Sequence, residues 1–348
     1  MRARSFRRQR GAALLAAMLI VTLVATFAAA ALWQQWRAAE VEAAERGRMQ
    51  SAWVLIGAID WSRLILREDG RAGGPDHLAE PWAIPLEEAR LSSFVAAEKN
   101  VASDALEGLP DAFLSGRIVD AQSKLNVTNL MSGGKPVKTA VAAFTKLFEL
   151  LGLPGQEVAI MTANLQRALP VQAVTSPAAA ASAGAGGLNT PVEAASTAAA
   201  ADATGPLLPQ QTTQLAWLGL SSATISAIEP YVTILPVGTP LNLNTASAEA
   251  IYASVPALDL AGAKRIVAQR TRGHFKGITD ASALVPDASS GFNDLQHSIN
   301  TRFFEVHGRL RLDRTWVEEH SLLRRDGLDV RIVWRNRGAG ATPLPPKS

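Results

Sequence analysis

The chain has 348 residues, 48% of them hydrophobic and 19% charged, with a formal net charge of +3. That length leaves room for an anchor and one or two domains with real cores. The absence of cysteine excludes disulfides, thiolate metal sites and cysteine nucleophiles. Arg2, Arg4, Arg7, Arg8 and Arg10 supply more than the whole net charge, so the remainder is mildly acidic and the excess speaks to topology, not to nucleic-acid binding.

Those arginines lead to Gly11, and an uncharged apolar run begins at Ala12 and lasts to Trp36. At about 1.5 Å per residue, Ala12 to Leu32 spans roughly 30 Å, the thickness of a bilayer's hydrocarbon core. The arginines place the N-terminus in the cytoplasm and everything after Trp33 outside, with Trp33 and Trp36 at the interface. Three readings compete: a secretory signal cut near Ala28 to Ala31, an uncut signal anchor, and a prepilin-type leader cut between Gly11 and Ala12 with the helix kept. The position of the glycine, after the charges and before the apolar run, favours the third.

The helix is expected to run on past the membrane, since residues 37 to 67 hold no proline. Ala43, Met49, Trp53, Ile56, Ile59 and Ile65 fall roughly along one face, which predicts an amphipathic outer half that packs on a sheet. Asp69-Gly70 and Gly73-Gly74-Pro75 close it. Trp82 to Pro85 reads as a proline-broken edge strand, and Phe113 to Asp120 as a strand. A turn at Asp120 to Ser123 and a new start at Lys124 to Val127 follow. Val137, Val141, Phe144, Phe148 and Leu151 make one helical stripe, and Val158, Met161, Leu165 and Leu169 a second. Residues 172–210 are alanine-rich and read as a flexible low-complexity loop.

Ser221 caps the next helix, which Pro230 interrupts. Pro240 to Ser247 is a short strand running into a helix cap, and its Leu241-Asn242 weakly echoes Leu125-Asn126. Helices at Ala248 to Ala253 and Leu260 to Arg270 follow. From Phe304 to Leu312 apolar and charged residues alternate, Trp316 to Leu323 and Leu328 to Arg335 read as two more strands, and Asp326-Gly327 is a hairpin turn. The tail from residue 338 to 348 is predicted to be disordered.

Asn244-Thr245-Ala246, Val255 to Asp259, Arg265 to Ala268 and Gly273-His274-Phe275 resemble the helix-hairpin-helix module of DNA-binding competence proteins. That module needs hairpin glycines so that backbone N–H groups reach a phosphate. Here Ala257 and Asp259 stand in their place, so the module is expected to be structural; an envelope DNA-binding or DNA-uptake protein is the alternative reading. His77, His274, His297, His307 and His320 show no pair at metal-ligand spacing, and no P-loop, dinucleotide fingerprint or catalytic triad can be named. The chain is expected to be no enzyme, with no catalytic or metal-ligating residues.

The Arg10 to Leu15 leader junction, the long half-buried helix, the paired Leu-Asn segments bracketing a helical region, the stretch Gly238 to Pro256, and Arg302 to Val306 before the closing meander resemble the general secretion pathway protein K family, minor pseudopilins of the type II secretion system. The resemblance implies an α+β fold: a pilin-like long N-terminal helix packed on an antiparallel sheet, with a large inserted α-helical domain containing or followed by a helix-hairpin-helix-like module. The implied divisions are a leader at 1–11, the membrane helix at 12–36, and a first pilin-like part at 37–130. The inserted domain takes 131–235, the hairpin-like segment 236–300, and the closing strands 301–337. Most pilins carry Glu at the fifth mature position; here that position is Ala16, as in the K family. A buried carboxylate in an apolar helix needs a cation from a neighbouring subunit, so a subunit without it suits the tip of the filament.

The resemblance further implies prepilin peptidase as the processing enzyme, other minor pseudopilins of the I and J types and the inner-membrane secretion platform as partners, and a periplasmic body on an inner-membrane anchor. Leu14, Leu15, Leu19 and Leu23 would pack against other subunits' helices. Calcium in the inserted region is a family property, but here the acidic cluster is replaced by Met161 to Gln166 and the alanine-rich loop, with Glu193 and Asp202 isolated, so no ligands are assigned.

Overall fold

The computed structural model describes residues 10–91, 112–169, 205–312 and 315–341. Most of the leader (1–9), most of the alanine-rich loop (170–204) and the end of the tail (342–348) lie outside the described residues.

One helix, α1 (Arg10–Ala72), is roughly 95 Å long at about 1.5 Å per residue. Gly73 and Gly74 end it with φ of +67° and +110°, values that favour glycine, and the Gly73 N–H donates back to Asp69 O at 3.0 Å. From Ala13 to Arg46 every residue is exposed. Beyond that, Ser51, Leu55, Ile59, Ser62 and Leu66 form a buried stripe at helical spacing. This corrects the face expected from hydrophobicity: Met49 and Trp53 are 61% and 73% exposed, and of the expected set Ile59 alone is buried. Two serines blur the buried face in the sequence. Their hydroxyls are satisfied within the helix, Ser51 by Gly47 O at 2.8 Å and Ser62 by Ala58 O at 2.9 Å.

A 3₁₀ turn at Pro81–Ala83 buries Trp82, edge-on to Phe304 at 5.2 Å. The edge strand β1 (Leu86–Arg90) follows it rather than including it, and pairs with β2 (Ala112–Asp120). After β2 the chain leaves the sheet. It makes the short segments β3 (Leu125–Asn126), β4 (Met131–Ser132) and β5 (Lys135–Pro136), then α2 (Lys138–Leu150) and α3 (Gln156–Ala168). A 3₁₀ helix at Thr212–Leu218 leads to α4 (Ser222–Ile228), capped by the Ser221 hydroxyl accepting from Thr224 N at 3.1 Å and ending before Pro230. Then come β6 (Val232–Thr233), β7 (Leu241–Asn242), α5 (Ala248–Ser254), α6 (Leu260–Arg272), α7 (Ile278–Ser282) and β8 (His297–Ser298).

The chain returns to the sheet as β9 (Phe303–Leu312), β10 (Thr315–Asp326) and β11 (Asp329–Ala341). The order is β1-β2-β9-β10-β11, with every pair antiparallel. Residues 121–302 are therefore inserted between two strands that are neighbours in the sheet. β11 continues past Gly338, where the sequence predicts the tail to begin, because Gly338 to Ala341 stay in register with Thr315 to Glu318.

The outer half of α1 packs on one face of this sheet through Ile59, Leu66, Trp82, Ile118, Phe304, Val306 and Leu323, and through Leu55, Leu114, Leu310 and Val317. Gly70 lies against the β10–β11 turn, where an added Cβ would stand 2.8 Å from Gly327 O. The inserted domain has its own core, continuous from Leu125 to Ala288, so one apolar cluster runs through both 131–235 and 236–300.

Candidate functional site

Three features bear on function: the free faces of α1, the hairpin between α5 and α6, and a polar seam where the insertion leaves and rejoins the sheet.

α1 contains the one segment among the described residues that is long and apolar enough to cross a membrane. Gly11 and Ala12 lie in its first turn, and Ala16 takes the fifth position after that junction. Leu14, Leu15, Leu19 and Leu23 are all exposed, and none of the described residues covers them. Further along, Met49, Trp53, Trp61 and Leu64 are exposed on the side turned away from the sheet. The same helix is thus apolar on two faces, and its own sheet covers only one.

The hairpin Val255 to Leu258 offers carbonyls rather than N–H groups. Lys146 Nζ on α2 donates to Val255 O at 2.7 Å, Pro256 O at 3.0 Å and Leu258 O at 2.7 Å, and sits over the Tyr252 ring at 4.0 Å. At the start of α6, where an anion would bind, the Asp259 carboxylate accepts from Gly262 N at 2.7 Å. Arg270, one of the basic residues of this segment, donates to Leu243 O at 2.7 Å. These groups are spent on holding the module together, as the sequence leads one to expect.

The seam is built from the two Leu-Asn segments. Asn126 Oδ1 accepts from Thr128 N and Leu235 N, both at 3.1 Å, and its Nδ2 donates to Val237 O at 2.8 Å. Asn242 Oδ1 accepts from Asn244 N at 3.0 Å, while its Nδ2 donates to Asp120 Oδ2 at 2.9 Å and Asp76 O at 3.2 Å. Each Asn folds its own turn and ties it to a distant segment. Asp120, at the end of β2, also accepts from Thr245 Oγ1 at 2.5 Å and Gln122 N at 2.7 Å. Complete burial pushes its carboxyl up to about 6 despite these donors. Beside it, Arg325 of β10 bridges Asp69 at the end of α1 and Asp76, and Asp76 Oδ2 accepts from Thr301 N at 2.7 Å. This network joins the far end of α1, the sheet and both roots of the insertion.

Among the described residues, no free set of carboxylates suits the calcium that the resemblance implies. Among the described residues the grouped carboxylates are Asp69, Asp76 and Glu80, at the end of α1 rather than within the insertion. Arg325 already engages two of them, and Glu80 Oε2 accepts from His77 N and Trp82 Nε1, both at 2.8 Å. Burial, with Asp69 nearby, pushes Glu80 to about 7. A hard cation that needs several free charged oxygens would have to displace a guanidinium. Met161 to Gln166 lie in α3, with Met161, Thr162 and Leu165 buried.

Two of the scattered histidines meet in the sheet. His307 and His320, without any metal-like spacing in the chain, are cross-strand partners in β9 and β10 with Glu305 beside them. The signal that reveals them is register: both lie at equal distance from the Leu312–Thr315 end of the hairpin.

Two family models, both described as type II secretion system (T2SS), protein K, match residues 123–237 and 241–300. Type II secretion system protein K of Pseudomonas aeruginosa is 26% identical over 347 residues, covering 97% of this chain and 96% of that protein. The protein K of Pectobacterium carotovorum subsp. carotovorum is 25% identical over 356 residues, covering 97% and 99%. A crystal structure of the GspK-GspI-GspJ complex from the enterotoxigenic Escherichia coli type 2 secretion system superposes with a TM-score of 0.57 over 85% of this chain and 98% of the other, at 14% identity, a likeness of fold. None of these matches favours the DNA-binding alternative. Two abutting models and relatives aligned from end to end agree with the helix, sheet and insertion described above: the chain belongs to the protein K family and is a minor pseudopilin of the type II secretion system.

Proposed function

We propose that this minor pseudopilin is a non-enzymatic assembly protein that initiates or caps the tip of the periplasmic pseudopilus. The observation that carries the reading is the position of the insertion. Its roots at Gln122 and Arg302 are tied to each other, and Gln122 also to Pro240 within the insertion, at the end of the sheet where Arg325 clasps the C-terminal end of α1. That end lies furthest along α1 from its apolar first half, so a further subunit stacked there would meet the inserted domain. Ala16 removes the carboxylate that would call for a cation from such a neighbour.

In this reading prepilin peptidase cuts between Gly11 and Ala12, the N-terminus is cytoplasmic, and the body is periplasmic on a single inner-membrane span. The exposed Leu14, Leu15, Leu19 and Leu23 contact other helices in the membrane, including the secretion platform. The exposed Met49, Trp53, Trp61 and Leu64 contact the helices of the I-type and J-type minor pseudopilins, as the related complex containing GspI and GspJ suggests. The test is the intact mass and N-terminal sequence of the protein from membranes, with and without prepilin peptidase. A chain starting at Ala12 only when the peptidase is present supports the reading. A chain starting at Met1 regardless, or near Ala31, overturns it.

A further inference from the structure

The assembly role leaves unused a cluster on the face of the sheet turned away from α1. In the β9–β10 ladder the His307 and His320 rings stack with centroids 4.0 Å apart and planes 19° apart. Glu305, on the same face, places Oε2 3.7 Å from Nε2 of His307 and 3.7 Å from Nε2 of His320. That separation is too long for a hydrogen bond. His320 Nε2 is nevertheless buried and has no hydrogen-bond partner among the described residues, a costly state for a ring nitrogen. The separation lies close to the roughly 3.4 Å between two ligand atoms in a tetrahedron with bonds of about 2.1 Å. All three ligand atoms lie within 4.8 Å of one another.

The insertion roofs this cluster. Thr233 Oγ1 of β6 reaches Glu305 Oε1 at 3.5 Å, and Lys124 Nζ stands 3.7 Å from Glu305 Oε2. Burial works against the Glu305 charge, but the two imidazoles and Lys124 outweigh it and hold the carboxyl well below its usual range. Burial also lowers His307, with the stacked His320 and Arg117 adding to the effect against Glu305.

We propose that Glu305, His307 and His320 form a site for one divalent transition-metal ion of the Zn²⁺ class, held by Glu305 Oε2 and the two Nε2 atoms with water as the remaining ligand. Two imidazoles and one carboxylate are a borderline donor set that suits zinc and its neighbours better than calcium or magnesium. The ion would pin β9 to β10 where the inserted domain rests on the sheet. Lys124 neutralises the carboxylate without metal and would swing aside on its four-carbon stem when the dication enters. The inference stands independently of the assembly reading.

The experiment uses the untagged full chain in detergent micelles, stripped with chelator and titrated with Zn²⁺ while thermal unfolding is followed, then with Co²⁺ while visible absorption is recorded. The expected result is one equivalent of Zn²⁺ that raises the Tm, reversed by chelator, and one Co²⁺ with the visible bands of a four-coordinate site. His320→Gln and Glu305→Gln should each weaken Zn²⁺ binding at least about tenfold, while their metal-free Tm stays near that of the stripped native chain. Lys124→Gln, relieved of the ammonium, should bind more tightly. His77→Gln combined with His274→Gln, which removes the other stacked pair (3.9 Å between centroids), should change nothing. No Zn²⁺ effect on the native chain, a shift that survives His320→Gln, or binding that Lys124→Gln leaves unchanged or weakens would overturn the proposal.

Discussion

The inserted domain and the helix-on-sheet layer are stabilised in different ways. The insertion closes on itself around one continuous apolar cluster in which Phe144, Leu147, Phe148, Leu215 and Leu218 are fully buried. The helix-on-sheet layer has only small patches along α1, and the rest of that helix shows apolar side chains to its surroundings. One region satisfies its hydrophobicity internally; the other is built to finish its packing against other molecules. Between them lies the polar seam of Asp76, Asp120, Asn242 and Arg325.

The contrast can be broken first at the core of the insertion. Phe148→Ala should cost about 3–5 kcal/mol, seen as loss of the main cooperative transition in thermal unfolding, whereas an α1 truncation before residue 40 should leave that transition in place. At the seam, Arg325→Met leaves Asp69 and Asp76 partly buried without their cation and should cost roughly 3 kcal/mol. Limited proteolysis should then find the α1 C-terminus and the roots of the insertion opened before the insertion's core.

Asp120 gives a pH signature of the same seam. Its folded value of about 6 lies above the ordinary 3.8, so the folded state keeps a proton that the unfolded chain releases. Its contribution is fully present below about pH 3.8 and is lost as pH rises through 6, a difference of roughly 2–3 kcal/mol. Denaturant titrations at pH 4 and pH 7 should show that component in the native chain and lack it in Asp120→Asn. The smallest effect on folding belongs to the outer face of α1. Trp53→Ser should change stability by no more than about 0.5 kcal/mol yet weaken co-purification with the I-type and J-type pseudopilins; a large loss of Tm would mean that Trp53 is part of this chain's own core.

Local elements were legible wherever one face of an element meets one surface. The stripes of α2 and α3, the alternation of β9, and the caps Ser221 and Ser247 all follow from periodicity and short-range hydrogen bonding. The buried face of α1 was not legible, because the helix serves two surfaces and buries Ser51 and Ser62 on the one that matters to its own fold. Trp82 likewise packs as a turn residue rather than a strand residue, held by its contact with Phe304 from far along the chain.

The sequence by itself determined the apolar membrane-length helix, the helix-then-sheet order, the helical stripes of the middle region and the structural character of the hairpin, since each rests on contacts within a few residues or on the loss of a required glycine. Only the tertiary structure decided that the insertion separates two neighbouring strands, that Lys146 fills the hairpin's carbonyls, and that Glu305, His307 and His320 converge. Those facts depend on strand register and on side chains brought together from distant parts of the chain, and no local pattern specifies such meetings.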